Sequence, residues 1–257
     1  MKYKTDSGSN LNVLLSSYFR LCDPIDKIYD CISSHDKKLA KLVEKYHSGV
    51  RLLRQDPWEC TVAYLCSPNA SVDKIRLNVE TIATLGRKLE LCDDVRHSFP
   101  TCEEVLDAGV EALEELSLGF SRTPGNIIAA AKRVCCGDLD FEELTRQPYN
   151  NVVWQLMEKR SASRKVANGI GDKVADCIAL FALDEMEAFP VDRHIGRALA
   201  DMYDDCPPLP ENSKGGLTYK QYRDIADWAR KRFGEYACYV NQLLFHRQRP
   251  QRPPSGC

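Results

Sequence analysis

Residues 168–197 read NGIGDKVADCIALFALDEMEAFPVDRHIGR, and this stretch decides the fold. Gly169 and Gly171 stand one residue apart where a helix begins, and glycine permits the positive φ that a tight hairpin needs. The uncovered backbone N–H groups of such a turn, aided by the helix dipole, can bind a phosphate. The stretch therefore predicts a glycine-punctuated hairpin followed by an apolar helix, with a simple tight turn as the alternative.

Lys173 lies in the first turn of that helix, where the positive end of the helix dipole disfavours a cation. Partial burial against Cys177 and the apolar helix face would disfavour the charge further, and a neutral lysine amine is a nucleophile. The structural alternative is an exposed lysine, as most lysines are. The position makes Lys173 a candidate catalytic nucleophile.

Asp192 precedes the helix predicted for RHIGRALADMY and is placed to be its N-cap. A carboxylate there could also activate an attacking nucleophile or stabilise positive charge that develops on a sugar. His194 follows two residues later, and we interpret it as a structural residue or a phosphate contact rather than a general base. Each of these residues, taken alone, is more commonly structural than catalytic.

The rest of the chain favours helices, because alternation of apolar and polar residues never persists for more than a few positions. N-caps are expected at Asp56 and Ser71, and Thr218 is expected to begin a last long helical region, residues 219–245, interrupted near Gly234. Separate helices fit residues 102–106 and 110–116. The fold class is therefore predicted to be all-α with short connections.

Composition narrows the class of protein. The chain has 257 residues, 44% hydrophobic and 28% charged, without an apolar run that could span a membrane or a secretory signal, so we expect an intracellular globular protein. The 12 cysteines lack CxxC pairs and histidine partners at ligand spacing, so structural zinc is not expected. In a reducing compartment they are interpreted as small buried residues.

A net charge of −2 gives no global attraction to nucleic acid, so DNA binding would need a local basic surface. Four basic residues crowd the segment before the hairpin, and they suit either phosphate contacts or a solvated helical face. These residues are Lys159, Arg160, Arg164 and Lys165.

The order of hairpin, lysine, helix and VDRH resembles the helix-hairpin-helix glycosylase superfamily. Within it, five segments are similar to the 8-oxoguanine DNA glycosylase/AP lyase family, and the likeness runs from Tyr18 to Phe245. The segments are GVRLLRQDPWE (49–59), CSPN (66–69), LSLGF (116–120), GIGDKVADCIALFALD (169–184) and PVDRH (190–194).

The resemblance implies an all-α, two-lobed helix-hairpin-helix fold with the active site in the cleft between the lobes. The glycosylase domain would span residues 18–246. Lobe A would comprise residues 56–172, and lobe B would comprise residues 18–55 together with 173–246. Residues 1–17 are expected to be disordered, and residues 247–257 to be a flexible basic tail.

The resemblance also implies a bifunctional enzyme that flips a damaged base out of double-stranded DNA. The Lys173 amine would attack C1′ to expel an oxidised purine such as 8-oxoguanine, with Asp192 as its electrostatic partner. The resulting Schiff base would permit β-elimination of the strand. No metal and no cofactor are implied. We expect a monomer without membrane contact, in the nucleus if the source is a eukaryote and otherwise in the cytoplasm.

Matching positions place three side chains in the base pocket. Cys177 and Phe245 would stack on the flipped purine, and Asn241 stands where a glutamine usually reads the guanine edge. A second set would contact DNA; within it Asn69 would fill the gap in the helix, and Phe120 is either a wedge near the estranged base or a core aromatic. The second set is Asn69, Lys74, Phe120, Arg122, Gly169, Gly171 and His194.

Departures from the family's pattern affect recognition of the lesion more than the reaction. Lys74 and Ser121 occupy positions usually held by arginines that read the opposite cytosine, and lysine does not replace the arginine fork. Asn168 stands where proline is usual. Only a helical lead-in precedes RLLRQDP, so the family's β-rich N-terminal domain is expected to be absent. A glycosylase for another damaged base and a non-catalytic DNA-binding module are the alternatives.

Overall fold

The computed structural model describes residues 11–46, 50–91, 94–157, 169–209 and 217–248. Their regular structure is helical apart from one two-stranded sheet, which confirms the all-α prediction. In chain order the elements are α1 (Leu11–Tyr18), α2 (Ile25–His35), α3 (Lys37–Tyr46), α4 (Pro57–Leu65), α5 (Val72–Ala83), β1 (Lys88–Leu91), β2 (Asp94–His97), α6 (Cys102–Glu115), α7 (Thr123–Cys135), α8 (Phe141–Leu144), α9 (Tyr149–Leu156), α10 (Asp172–Ala182), α11 (Arg193–Met202), α12 (Tyr219–Phe233), a short 3-10 helix (Gly234–Tyr236) and α13 (Ala237–Gln248).

The chain divides into two compact units. The first comprises Gln55–Asp184, and the second comprises Lys2–Arg54 together with Glu185–Cys257. The boundary therefore lies at residues 184 and 185 rather than between 172 and 173, where lobe A was expected to end. The reason is that α10 packs against α4 and α9, which both belong to the first unit.

Side-chain caps set the starts of three helices where the sequence predicts them. Asp56 accepts a hydrogen bond from the Glu59 N–H at 2.9 Å and begins α4. Ser71 caps α5 in the same way, at 3.2 Å from the Lys74 nitrogen. Thr218 begins α12 with a reciprocal capping box. Because each cap satisfies backbone N–H groups that have no partner inside the helix, these starts are fixed locally.

The strands β1 and β2 form an antiparallel pair that the sequence did not predict. Lys88 pairs with His97, and Leu89 pairs with Arg96. Each strand has four residues, so the alternation is too short to register as a strand pattern. This hairpin is the one sheet in the described ranges.

Helix α10 forms the centre of the first unit and is buried on almost every side. Residues Val174 to Leu180 are all buried, and complete burial of an aliphatic side chain such as Ile178 stabilises the fold by about 1.5–3 kcal/mol. A polar bond also lies in this interior, from the Tyr149 hydroxyl of α9 to Oδ1 of Asp176, at 2.5 Å. Helix α10 is therefore held by both apolar packing and a specific polar contact.

The ends of the chain differ from the expectation in two places. Leu11–Tyr18 form α1, so the disorder expected for residues 1–17 does not apply from Leu11 onward, where the apolar run LNVLLSSY is helical. At the other end α13 continues to Gln248, two residues into the expected tail. None of the helices in the described ranges is both long enough and apolar enough to cross a membrane.

Candidate active site

The glycine turn before α10 has the geometry that the sequence predicts. Gly169 has a φ of +75°, and a Cβ there would lie 2.3 Å from Nδ2 of Asn126. Both facts require glycine at this position. Gly171 has an ordinary φ of −89° and open space around it, and it precedes α10 as an N-cap without a side-chain hydrogen bond. The prediction of a glycine turn is confirmed for residues 169–172, whereas Asn168 lies outside the described residues.

Lys173 is half-buried in the first turn of α10, as expected. Its Nζ donates a hydrogen bond to Oγ of Ser67 at 3.4 Å. The same Nζ lies 5.4 Å from the centre of the Tyr64 ring, which is within the range of a cation–π contact. The amine therefore lies against Tyr64 near the end of α4 and against Ser67 in the turn that follows α4.

Tyr64 and Ser67 are site residues that the sequence analysis missed. Tyr64 is positioned by Phe181 of α10, because the two rings stack at 5.9 Å with an angle of 11° between them. Ser67 belongs to the CSPN segment, which carried the resemblance without a role for its serine. Contacts between α4 and α10 join residues far apart in sequence, so spacing along the chain gave no signal for them.

Cys177 lies one helical turn after Lys173 on the same side of α10 and is only 4% exposed. Helix α10 packs against α4, and burial, followed by the influence of Cys177, raises the pKa of the Cys60 thiol of α4 well above its ordinary value. Cys177 is thus packed between α10 and α4 in the first unit. Its contact with a flipped base stays a prediction.

Asp192 caps α11, as predicted: its Oδ1 accepts a hydrogen bond from the Ile195 N–H at 2.8 Å. The two residues before it are held by their backbone groups. The Val191 N–H donates to the Tyr222 hydroxyl at 3.4 Å, and the Pro190 carbonyl accepts from Nδ2 of Asn241 at 2.8 Å. The carboxylate therefore stands on a segment anchored by α11, α12 and α13 in the second unit.

Asn241 and Phe245 stand one helical turn apart on α13. Asn241 is 3% exposed and uses both ends of its amide, because its Oδ1 accepts from Nε2 of Gln242 at 3.1 Å. Phe245 is half-buried. The structure thus gives Asn241 a supporting contact with Pro190, and its proposed reading of a base edge stays a prediction.

The loop after α6 carries two residues assigned to DNA contact. Asn78 of α5 is buried and donates to the Leu118 carbonyl at 2.9 Å, which holds the loop in place. Phe120 follows and is 40% exposed, so the alternative of a core aromatic is wrong. Its action as a wedge stays a prediction. Arg122, two residues after Phe120, is exposed at the start of α7.

Lys74 and Asn69 lie near this loop and the end of α4. Lys74 is half-buried, and a Cβ on Gly119 would lie 3.5 Å from its Cε. Burial raises the pKa of Cys66 to about 12, with the nearby Lys74 acting in the opposite direction. Asn69 is exposed and has a φ of +57°, a left-handed conformation that asparagine tolerates better than most residues.

His194 is exposed in the first turn of α11. Its proposed phosphate contact stays a prediction. The basic run at Lys159, Arg160, Arg164 and Lys165 lies outside the described residues.

The family profile and two curated relatives are similar to this chain. The family profile described as "8-oxoguanine DNA glycosylase, N-terminal domain" matches residues 2–61. The N-glycosylase/DNA lyase OGG1 of Arabidopsis thaliana is 29% identical over 231 residues, which is 87% of this chain and 58% of that protein. The N-glycosylase/DNA lyase of Saccharomyces cerevisiae is 31% identical over 193 residues, 73% of this chain and 50% of that protein.

A solved structure gives the same answer for the fold. The Clostridium acetobutylicum 8-oxoguanine glycosylase/lyase, crystallised with dsDNA containing cytosine opposite 8-oxoguanine, superposes with a TM-score of 0.77 at 28% identity. The superposition covers 91% of this chain and 73% of that one. The chain is therefore similar to the 8-oxoguanine DNA glycosylase family over most of its length. Its helical fold is that of the helix-hairpin-helix superfamily.

The matched N-terminal profile changes the interpretation of the first 61 residues. They correspond to part of the family's N-terminal domain, and the described part of that range contains only the helices α1 to α4 as regular structure. The helical lead-in is therefore part of that domain. The chain spans about half the length of the curated relatives it matches, 58% and 50%.

Proposed function

We propose that this chain is a bifunctional DNA glycosylase and AP lyase that removes an oxidised purine, 8-oxoguanine, from double-stranded DNA. The observation that carries the proposal is the position of the Lys173 amine. It lies half-buried at the N-terminal turn of α10, directed to Ser67 and the face of Tyr64. Similarity adds support, because two relatives named N-glycosylase/DNA lyase align with 87% and 73% of this chain at 29% and 31% identity.

The proposed reaction begins when the neutral Lys173 amine attacks C1′ of the damaged nucleotide. A bond forms from the amine nitrogen to C1′, and the N-glycosidic bond breaks with its electron pair leaving on the base. Opening of the sugar ring gives a Schiff base. Loss of a proton from C2′ then expels the 3′ phosphate by β-elimination.

The environment of Lys173 supports this role. Its Nζ is partly removed from water in the first turn of α10, 3.4 Å from Oγ of Ser67 and 5.4 Å from the centre of the Tyr64 ring. Asp192 would stabilise positive charge that develops on the sugar. Its cap hydrogen bond uses Oδ1, and Oδ2 is the oxygen we assign to that task.

Borohydride trapping tests the proposal directly, because reduction of the Schiff base makes the link between enzyme and DNA permanent. The full chain should form a covalent adduct with a duplex that contains 8-oxoguanine opposite cytosine, and Lys173→Gln should form none. Lys220→Gln is the matched control: Lys220 is 88% exposed in α12, and its variant should trap like the unmodified chain. An adduct that persists in Lys173→Gln would assign the nucleophile elsewhere.

The lesion is tested separately from the reaction, since Asn241 and Lys74 depart from the family's usual recognition residues. Duplexes that carry different damaged bases, each with the four opposite bases, should be cleaved most rapidly for 8-oxoguanine opposite cytosine. If another lesion is cleaved more rapidly, the proposed lysine mechanism stands and the proposed substrate is wrong. Binding without an adduct on every duplex would instead identify a non-catalytic DNA-binding module.

We further propose that the protein is a monomer. It would be located in the nucleus in a eukaryote and in the cytoplasm in another cell. Gel filtration of the full chain with and without duplex tests the stoichiometry. A dimer in both conditions would contradict it.

A further inference from the structure

Two cysteines and a glutamate that are distant from Lys173 in sequence come together between α6 and α7. Cys102 and Glu103 occupy the first turn of α6, and Cys135 is the last residue of α7. The Cys102 Sγ lies 3.3 Å from Oε2 of Glu103. The two sulfur atoms and a carboxylate oxygen all lie within 4.8 Å of one another. We call these three residues the thiol-carboxylate cluster.

The spacing of these atoms is close to that of ligands around a single zinc ion. Tetrahedral zinc binds thiolate sulfur at about 2.3 Å and carboxylate oxygen at about 2.0–2.2 Å, so neighbouring ligand atoms lie roughly 3.5–3.8 Å apart. Rotation of exposed side chains would suffice to reach that spacing, since Glu103 and Cys135 are exposed and only Cys102 is buried, at 9% exposure. Thiolate ligands favour zinc over magnesium or calcium.

The neighbouring carboxylate, Glu104, has a different role from that of Glu103. Glu104 turns back to accept the Thr101 N–H at 2.8 Å in a capping box, which also holds the first turn of α6. Glu103 is left on the side that faces Cys102 and Cys135. Two helix ends thus present three ligand atoms to one point, with a fourth position open to water.

We propose that the thiol-carboxylate cluster is a zinc site that ties the start of α6 to the end of α7. It involves neither Lys173 nor Asp192 and goes beyond the proposed repair activity. The twelve cysteines gave no zinc signal in the sequence because Cys102 and Cys135 are brought together by the pairing of α6 with α7, not by local spacing.

Metal binding by the full chain tests the site without any activity measurement. The purified protein, stripped of metal and reduced with a phosphine, would be titrated with zinc against a chromophoric chelator. Cobalt would be titrated in parallel, because thiolate ligands give it a charge-transfer band in the near ultraviolet. Cys135→Ser and Cys102→Ser should each lose one equivalent of tight zinc and the corresponding cobalt band, and Glu103→Gln should bind that equivalent more weakly.

Cys136→Ser is the matched control, because Cys136 is the exposed neighbour of Cys135 and its Sγ contacts the Arg133 carbonyl. It should bind metal like the unmodified chain. Equal loss in the Cys136 variant, or no loss in the Cys102 and Cys135 variants, would overturn the site. If Cys102→Ser fails to fold, zinc binding by Cys135→Ser alone tests the site, because Cys135 is exposed. A disulfide between Cys102 and Cys135 without any zinc difference would identify a redox pair and also overturn the proposal.

Discussion

Replacing Asn241 by leucine is expected to weaken both the second unit and the reaction. Leucine is similar in size to asparagine but cannot donate to the Pro190 carbonyl, which receives Nδ2 at 2.8 Å in a buried site. A buried polar group that loses its partner costs about 1–3 kcal/mol. At about 1.4 kcal/mol for each factor of ten, the equilibrium between folded and unfolded chain should shift roughly 5- to 150-fold.

The effect on turnover follows from the position of Pro190, two residues before Asp192. Loss of the Asn241 contact leaves this segment held on the other side by the Val191 N–H and the Tyr222 hydroxyl, at the longer distance of 3.4 Å. A displacement of about 1 Å at a reacting group can reduce a rate by about 100-fold. Turnover of the folded Asn241→Leu variant should therefore fall by up to that factor.

Urea unfolding and single-turnover trapping separate the two effects. Gln242→Leu is the matched control, because it removes the 3.1 Å bond to Asn241 but keeps the contact between Asn241 and Pro190. This control should lose less stability and keep its rate. If Asn241→Leu unfolds within about 0.5 kcal/mol of the unmodified chain and reacts at the same rate, the anchoring of Asp192 through Pro190 is refuted.

Four further substitutions, one of them a control, test other parts of the structure. Gly169→Ala should lower the free energy of unfolding by about 1–2 kcal/mol because of the positive φ alone, and further because the new Cβ would collide with Asn126. Gly171→Ala is the control, because this position has open space, and it should lose less stability. Equal losses of stability in urea unfolding would contradict the turn geometry. Asp192→Asn keeps a good N-cap, so its stability should change little while its single-turnover rate falls strongly; unfolding instead would show that capping is its main role. Burial raises the pKa of Cys60 well above its ordinary value of 9.0, so the unfolded chain releases this proton first as pH rises. Stability should therefore be fully present below about pH 9 and fall above it by up to about 1.4 kcal/mol per pH unit, and Cys60→Ala should flatten that slope in alkaline urea unfolding.

Local chemistry made several elements predictable. The caps at Asp56, Ser71 and Thr218 act within three residues of themselves, so the sequence contains everything that fixes them. The separate helices predicted on either side of residues 107–109 correspond to α6 with a break at Gly109, where φ is 80° and ψ is 173°. The strands β1 and β2 were missed because a pair of four-residue strands depends on partner contacts rather than on a long alternation.

The features of the candidate site are likewise of two kinds, those that local sequence predicts and those that depend on distant segments. Short-range signals predict that Lys173 lies in the first turn of α10 and that Asp192 caps α11. The structure confirms both locations. The contact of Tyr64 with Lys173, and the bond from Asn241 to Pro190, join segments far apart in sequence. Only the packing of helices creates such pairs, so residue spacing could not predict them.

The buried bond between Tyr149 and Asp176 limits how α9 and α10 can move past each other. A slide of one helical turn, about 5.4 Å, would break this 2.5 Å bond and leave two polar groups in an apolar interior. Shear between these two helices is therefore disfavoured, whereas the glycine turn at residues 169–171 can still change its backbone angles. Any motion of the first unit at this place should thus be of the hinge type, located at the turn, while α10 keeps its register.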